Sequence, residues 1–137
     1  MIECKSAAEA VSRVQSGQRV FVHGSGATPT SLLSALLARA GELTKIELVA
    51  ISTLGKLEWD RPEIREHFFL NSLFVSANVR EWVDSPSGDY TPVFLSEIPA
   101  LFRGGRLPID VAMLHVSPPD RHGFCSLGTS VDAALAA

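Results

Sequence analysis

A strand, a glycine-rich turn, a helix and a second strand follow one another between residues 19 and 52, and this order constrains the fold more than any other feature. Arg19 to His23 (RVFVH) is rich in β-branched and aromatic residues, as strands are. It runs directly into the turn Gly24 to Pro29 (GSGATP). Lys45 to Ser52 (KIELVAIS) predicts a second strand. Such a unit predicts two parallel strands joined by a right-handed crossover.

The segment between these two strands has leucines at helical spacing. We expect Thr28 to cap this helix and Pro29 to be its first residue, because the N–H that proline lacks is unpaired at that position anyway. Gly41 is expected to end it. The predicted inward stripe consists of Leu32, Leu33, Leu36, Leu37 and Ala40.

The rest of the chain alternates weaker helix and strand signals. We predict helices over 7–16, with Ser6 and Glu9 as a capping box, over 60–67, and over 97–103, capped by Ser96. We also predict a helical turn over 78–83 and the start of a helix after Thr129 or Ser130. Strands are predicted within 68–76, 90–95 and 109–116. This alternation predicts one α/β domain over 1–137, with an open, mostly parallel sheet and flanking helices. Because the last helical pattern has no stop signal, we expect the chain to be a truncated piece of a longer protein.

Composition and charge exclude several classes of protein. The 137 residues are 46% hydrophobic and carry a net charge of −3, so we expect no nucleic-acid partner. No uncharged apolar run reaches the roughly 18 residues of a membrane helix, and we expect the first residues not to be a signal peptide, because they contain no apolar core. Cys4 and Cys125 lie at opposite ends of the chain. We therefore expect two reduced thiols in a cytoplasmic protein.

The glycine turn is the first candidate site. Ligands of open parallel sheets bind beyond the carboxyl ends of the strands, and Gly24 and Gly26 allow a ligand to approach the backbone closely. The positive end of the following helix favours a carboxylate, a phosphate or a developing oxyanion there. A tight strand-to-helix turn explains the glycines equally well. Pro29 breaks the dinucleotide fingerprint, no Walker lysine follows, and Ser25 does not match a nucleophile elbow.

The loop Ser117 to Gly128 (SPPDRHGFCSLG) is the second candidate site, because it too follows a predicted strand. Its chemically capable residues are Asp120, His122, Cys125 and Ser126. A metal site formed by His115, His122 and Cys125 matches no common zinc spacing. A Cys–His nucleophile would rest on neighbours in sequence, whereas such pairs are normally distant in sequence. Because His115 alternates with apolar residues, we expect it to be a packed core histidine.

Three segments together resemble a known family. Residues 108–134 (PIDVAMLHVSPPDRHGFCSLGTSVDAA) closely resemble the segment that closes the amino-terminal domain of the acetyl-CoA hydrolase/transferase family. Residues 89–102 (DYTPVFLSEIPALF) and 20–36 (VFVHGSGATPTSLLSAL) are similar to earlier parts of that domain. The resemblance covers almost the whole chain in order and implies a coenzyme A transferase-like α/β half.

The resemblance also implies a chemistry. Family members include 4-hydroxybutyrate and acetate-type coenzyme A transferases, in which a glutamate attacks an acyl-CoA and carries coenzyme A as a glutamyl thioester to a carboxylic acid. An acyl-CoA hydrolase is the first alternative, and a non-catalytic module that binds an anion or a partner is the second. The nucleophilic glutamate is expected in the missing carboxyl-terminal half. We therefore expect no catalytic residue in this chain, and no activity from the chain alone.

The resemblance places substrate-binding residues in both candidate sites. They are Gly24, Ser25, Gly26, Ala27, Thr28, Pro29, Asn78, Arg80, Pro118, Asp120, Gly123 and Ser126. Arg80 is expected to pair with a substrate carboxylate or, alternatively, to be a surface arginine near Glu81 and Asp84. Coenzyme A and acyl-CoA are expected as substrates, with no metal and no permanently bound cofactor. Expected partners are small carboxylates, the carboxyl-terminal domain and further copies of the full-length protein, but no membrane.

Overall fold

Five strands form one parallel sheet in the computed structural model, which describes residues 3–56, 58 and 61–137. The strands are β1 (Arg19–Val22), β2 (Ile46–Ala50), β3 (Phe68–Ser72), β4 (Gly88–Tyr90) and β5 (Val111–Met113). Their order across the sheet is β4-β3-β2-β1-β5, and each neighbouring pair is parallel. The predicted α/β class and the parallel pairing of the first two strands are confirmed.

Helices cover both faces of this sheet. They are α1 (Ala7–Val11), α2 (Thr30–Leu37), α3 (Pro62–His67), α4 (Arg80–Val83) and α5 (Ile98–Arg103). Because successive side chains of a strand point to opposite faces, Val20 and Val22 pack with α2, whereas Phe21 packs with α5. The ring of Phe21 meets that of Phe102 edge to face, with centroids 5.5 Å apart. No helix among the described residues is long and apolar enough to cross a membrane.

The predicted helix near the amino terminus is shorter than expected. Its cap is confirmed, since Ser6 Oγ accepts a hydrogen bond from the Glu9 N–H at 3.1 Å. The helix nevertheless ends at Val11, not at residue 16. The Arg39 guanidinium donates to the carbonyl groups of Val11 and Val14, so these carbonyls are satisfied outside a helix. The predicted start of the next helix at Asp60 lies outside the described residues.

Two predicted strands also have different bounds. The strand expected over 90–95 is β4 at 88–90, since Pro92 has no N–H to donate to a ladder. The strand expected over 109–116 is β5, with three residues. It ends early because the His115 N–H donates to the side chain of His23 rather than to a strand carbonyl. Ser96 is not a helix cap; the Glu97 carboxylate instead accepts from the Phe94 N–H.

The helix expected after residue 130 does not form. Residues 132–136 make successive turns, in which Ala134 N donates to Val131 O and Ala136 N to Ala133 O. Asp132 has a positive φ of 23°, and its carboxylate accepts the Ala133 N–H at 2.6 Å. An aspartate that bonds its local backbone in this way competes with the helix.

A chain of polar side chains fixes the register of the sheet. Arg19 Nε donates to Glu47 at 2.8 Å, and Asn71 Nδ2 donates to the other Glu47 oxygen at 2.9 Å. Thr91 Oγ1 then donates to Asn71 Oδ1 at 2.8 Å. A slip of one residue would turn each of these side chains to the opposite face and break the whole chain of contacts.

Candidate functional site

Polar segments follow three strands that lie side by side. The segment that starts at His23 follows β1, Ser52 and Thr53 follow β2, and the segment that starts at Leu114 follows β5. Because all strands are parallel, these segments meet at the carboxyl edge of the sheet, where ligands of such folds bind.

The two glycines of the turn have different surroundings. Ser25–Ala27 forms a single 3-10 turn, and the Ser25 N–H donates to Ser52 O. A Cβ on Gly24 would lie 2.9 Å from that same Ser52 oxygen, so packing alone disfavours any larger residue at this position. A Cβ on Gly26 would meet nothing closer than Ser130 Oγ at 3.8 Å. Gly26 is therefore the glycine whose backbone is open to a ligand.

Thr28 ties the turn to a neighbouring loop instead of capping the helix. Helix α2 begins at Thr30, and Pro29 takes the cap position, so the predicted cap is wrong. The Thr28 hydroxyl donates to Ser25 O at 2.8 Å and accepts from Leu54 N at 3.0 Å. Its two bonds hold the glycine turn against the segment that follows β2.

Residues 117–128 form a self-supporting loop. Ser117 N donates to Ser126 O, and the Asp120 carboxylate accepts from His122 N at 2.8 Å and from Phe124 N at 2.9 Å. Gly123 has a φ of 84°, which favours glycine. Asp120 and Gly123 therefore shape the tip of this loop, whereas Ser126 lies on its side toward the glycine turn.

Two clefts flank the glycine turn. One, of about 360 Å³, lies between the turn and the loop and is lined by Gly26, Ala27, Pro118 and Ser126 among others. The other, of about 220 Å³, is lined by residues that include Thr28, Pro29 and Leu114. His115 lines both clefts. The structure therefore brings together six of the twelve substrate-binding residues predicted from the sequence.

Asn78 and Arg80 lie outside both clefts. Asn78 Nδ2 donates to Thr53 Oγ1 at 3.3 Å, so it supports the segment after β2. Arg80 is the first residue of α4, and its side chain is exposed. Within 3–56, 58 and 61–137 it forms no ion pair, either with Glu81 or with Asp84.

The buried histidine of the site is His23, not His115. The expectation of a packed His115 is wrong: its side chain is exposed, because β5 lies at one end of the strand order and stops before it. His23 is 0% exposed and makes hydrogen bonds through both ring nitrogens. The one sequence signal for it is a polar ring that directly follows the apolar residues Val20 to Val22, which are buried in β1.

The cysteines and other metal-binding side chains form no cluster in the described part of the chain. Cys4 and Cys125 are both free thiols. No group of three histidine, cysteine, aspartate or glutamate side chains comes together there in a way that could hold a metal ion. The combination of His115, His122 and Cys125 considered from the sequence is therefore not assembled.

The parallel sheet with flanking helices and clefts at its carboxyl edge defines an open α/β domain. The chain belongs to the acetyl-CoA hydrolase/transferase family, whose N-terminal domain model matches residues 3–137. This confirms the resemblance seen in residues 20–36, 89–102 and 108–134.

Relatives with named activities are coenzyme A transferases. The chain is 44% identical to the succinyl-CoA:acetate/propanoyl-CoA:succinate CoA transferase of Fasciola hepatica, over 90% of this chain and 26% of the relative. It is 41% identical to the 4-hydroxybutyrate coenzyme A transferase of Clostridium kluyveri, over 93% of this chain and 30% of the relative. The chain thus spans between a quarter and a third of the length of these proteins.

Solved structures share the fold. RipA from Yersinia pestis matches 90% of this chain and 31% of its own, with a TM-score of 0.80 and 30% identity. The 4-hydroxybutyrate CoA-transferase from Porphyromonas gingivalis matches 96% of this chain and 29% of its own, with a TM-score of 0.74 and 29% identity.

Proposed function

We propose that this chain is the substrate-side domain of an enzyme that transfers coenzyme A between an acyl-CoA and a carboxylic acid, of the acetate or 4-hydroxybutyrate type. The observation that carries the proposal is the cleft between Gly26 and Ser126, in a chain that belongs to this family. Its relatives in Fasciola and Clostridium bear the names of enzymes with this activity.

The lining of this cleft suits a small carboxylate or an acyl oxygen. The described residues that line it include no aspartate, glutamate, lysine or arginine. The Ser117 hydroxyl already donates to Pro118 O at 3.0 Å, so Ser126 and Thr129 supply the hydroxyl groups of this lining. Neutral donors at a glycine-rich backbone can bind an oxygen that gains negative charge during acyl transfer. This wall offers hydroxyl groups and backbone rather than a carboxylate, and because the chain matches the N-terminal domain of its family we assign the attacking glutamate to a part of the enzyme outside this chain.

The reaction proposed is covalent exchange in two stages. The glutamate attacks the acyl-CoA carbonyl and releases the coenzyme A thiolate, which then attacks the acyl-glutamyl anhydride and displaces the carboxylate. The resulting glutamyl thioester passes coenzyme A to an acceptor carboxylate by the reverse steps. Coenzyme A and acyl-CoA are thus substrates, and we propose no permanently bound cofactor. We further propose a cytoplasmic, homo-oligomeric enzyme whose carboxyl-terminal domain completes the site.

The test uses the protein encoded by the complete reading frame. It is incubated with acetyl-CoA and one carboxylate at a time (butyrate, succinate or 4-hydroxybutyrate), and the acyl-CoA products are separated by chromatography while free thiol is followed with a thiol reagent. The expected result is a new acyl-CoA that depends on the acceptor, with little free thiol. Thiol release without an acceptor would favour the hydrolase alternative. Absence of both products would contradict the proposal.

A second experiment tests the location of the nucleophile. The 137-residue chain alone is given the same substrates, and we expect no turnover. Turnover by the purified chain at a rate near that of the complete protein would show that the attacking group lies within these residues.

A further inference from the structure

A buried histidine connects the separate walls of the candidate site. His23 follows β1 directly, and its backbone N–H donates to Met113 O of β5 at 3.0 Å. Its ring Nδ1 lies 3.2 Å from the His115 backbone N, and its ring Nε2 is hydrogen-bonded to the carbonyl oxygen of Ser130. One side chain therefore joins the glycine turn, the segment after β5 and the segment near residue 130.

The partners of the ring fix its protonation and tautomer. The backbone N–H of His115 can only donate, so Nδ1 must carry the lone pair. The carbonyl of Ser130 can only accept, so Nε2 must carry the hydrogen. Only the neutral Nε2–H tautomer of His23 makes both bonds. Neither ring nitrogen is left for a substrate or for proton transfer.

The segments that are hydrogen-bonded to His23 form walls of the two clefts. His115 lines both clefts, and a Cβ built on Gly26 would lie 3.8 Å from Ser130 Oγ and 4.0 Å from Thr129 Oγ1, so the open side of Gly26 faces residues 129–130. Because His23 directly precedes the glycine turn and its ring is hydrogen-bonded to Ser130 O, the ring determines the distance from this turn to residues 129–130. The same ring sets the position of the wall that begins at His115.

We propose that His23 is a positioning residue of the acyl-transfer site, in the neutral Nε2–H form, and that it fixes the width of the cleft around Gly26. This inference rests on the proposed function for its kinetic consequence. Without the ring, the walls lose the two bonds that hold them, and the bound carbonyl lies out of line with its donors. A misplacement of about 1 Å can lower the rate of the chemical step roughly 100-fold.

The kinetic test uses three substitutions in the complete protein. His23→Asn keeps an oxygen acceptor near the Nδ1 position, His23→Gln can keep a donor near the Nε2 position, and His23→Leu keeps neither. We expect His23→Leu to lower kcat/KM for coenzyme A exchange roughly 10- to 100-fold, with partial rescue by Asn or Gln. Val22→Ala is the matched control, because Val22 is also fully buried but packs in the apolar core with α2.

The control separates positioning from general stability. We expect Val22→Ala to lower the urea midpoint while it leaves kcat/KM unchanged. If His23→Leu has wild-type kcat/KM, or if Val22→Ala reduces kcat/KM equally, the positioning role is wrong.

A spectroscopic test decides the inference without an activity assay. The ¹⁵N shifts of the imidazole rings are recorded at neutral pH, and the His23 signals are identified by their loss in His23→Gln. We expect a protonated Nε2 and an unprotonated Nδ1; a protonated Nδ1 would overturn the inference. We also expect faster amide hydrogen exchange at Gly26 and Ala27 in His23→Leu, and unchanged exchange would overturn it. If the wild-type protein transfers no coenzyme A, the proposed function fails, while these two measurements still decide the positioning role.

Discussion

The substitution Gly24→Ala tests how tightly the glycine turn is packed. The added Cβ would lie 2.9 Å from Ser52 O, whereas ordinary van der Waals contact begins near 3.4 Å. Ser52 O must therefore move by about 0.5 Å, the difference between those two distances. The same oxygen accepts the Ser25 N–H at 2.5 Å, so this bond is weakened as well.

The expected cost follows from three contributions. Overpacking costs about 1–3 kcal/mol, and a weakened hydrogen bond costs up to about 1 kcal/mol. Alanine also restricts the unfolded chain, which offsets about 0.4–1 kcal/mol. We therefore expect Gly24→Ala to lower the free energy of unfolding by about 2 kcal/mol.

Urea denaturation measures this change directly, as a lower midpoint at an unchanged slope. Gly26→Ala is the control, since its Cβ would meet nothing closer than 3.8 Å. We expect that variant to unfold within about 0.5 kcal/mol of wild type. A Gly24→Ala protein as stable as Gly26→Ala would refute the close packing of the turn against Ser52.

Two further substitutions test the sheet. Asn71→Ala removes the link between Glu47 and Thr91 and is expected to cost about 1–3 kcal/mol, and a double-mutant cycle with Thr91→Val should show coupling if the link exists. Leu48→Ala, at a fully buried position of β2, is expected to cost about 2–5 kcal/mol in urea denaturation, whereas Leu135→Ala, at a position 78% exposed, should cost less than about 0.5 kcal/mol. Equal effects at the two leucines would contradict the assigned core.

The sequence predicts best those elements that local patterns determine. The first two strands and the helix between them have strong apolar periodicity, and all three lie within a few residues of their expected bounds. The order of the strands across the sheet, in contrast, cannot be predicted from local patterns. The pairing of β5 with β1 joins residues about 90 positions apart, and no local pattern specifies it.

Two of the errors arise where a side chain competes for a backbone group. The last strand stops because the His115 N–H bonds to a ring, and the final helix fails because Asp132 bonds its own neighbour. Such contacts leave no periodic signal.

The candidate site is predictable in part for the same reason. The glycines of the turn are a local sequence pattern, and this pattern predicts that Gly26 and Pro29 belong to the candidate site. The contacts of His23 reach residues 92 and 107 positions away, and nothing near His23 in the chain predicts them.

The most direct test of the central claim compares Gly26→Ala with Gly41→Ala in the complete protein. A Cβ at either position is free of close contacts, but Gly41 follows α2 and lies outside both clefts. The measurement is kcat/KM for transfer of coenzyme A from acetyl-CoA to a carboxylate, with urea midpoints recorded in parallel. We predict a roughly 10- to 100-fold loss for Gly26→Ala at unchanged stability and no loss for Gly41→Ala. Wild-type kcat/KM in Gly26→Ala would contradict the assignment of this cleft to the reacting acyl group.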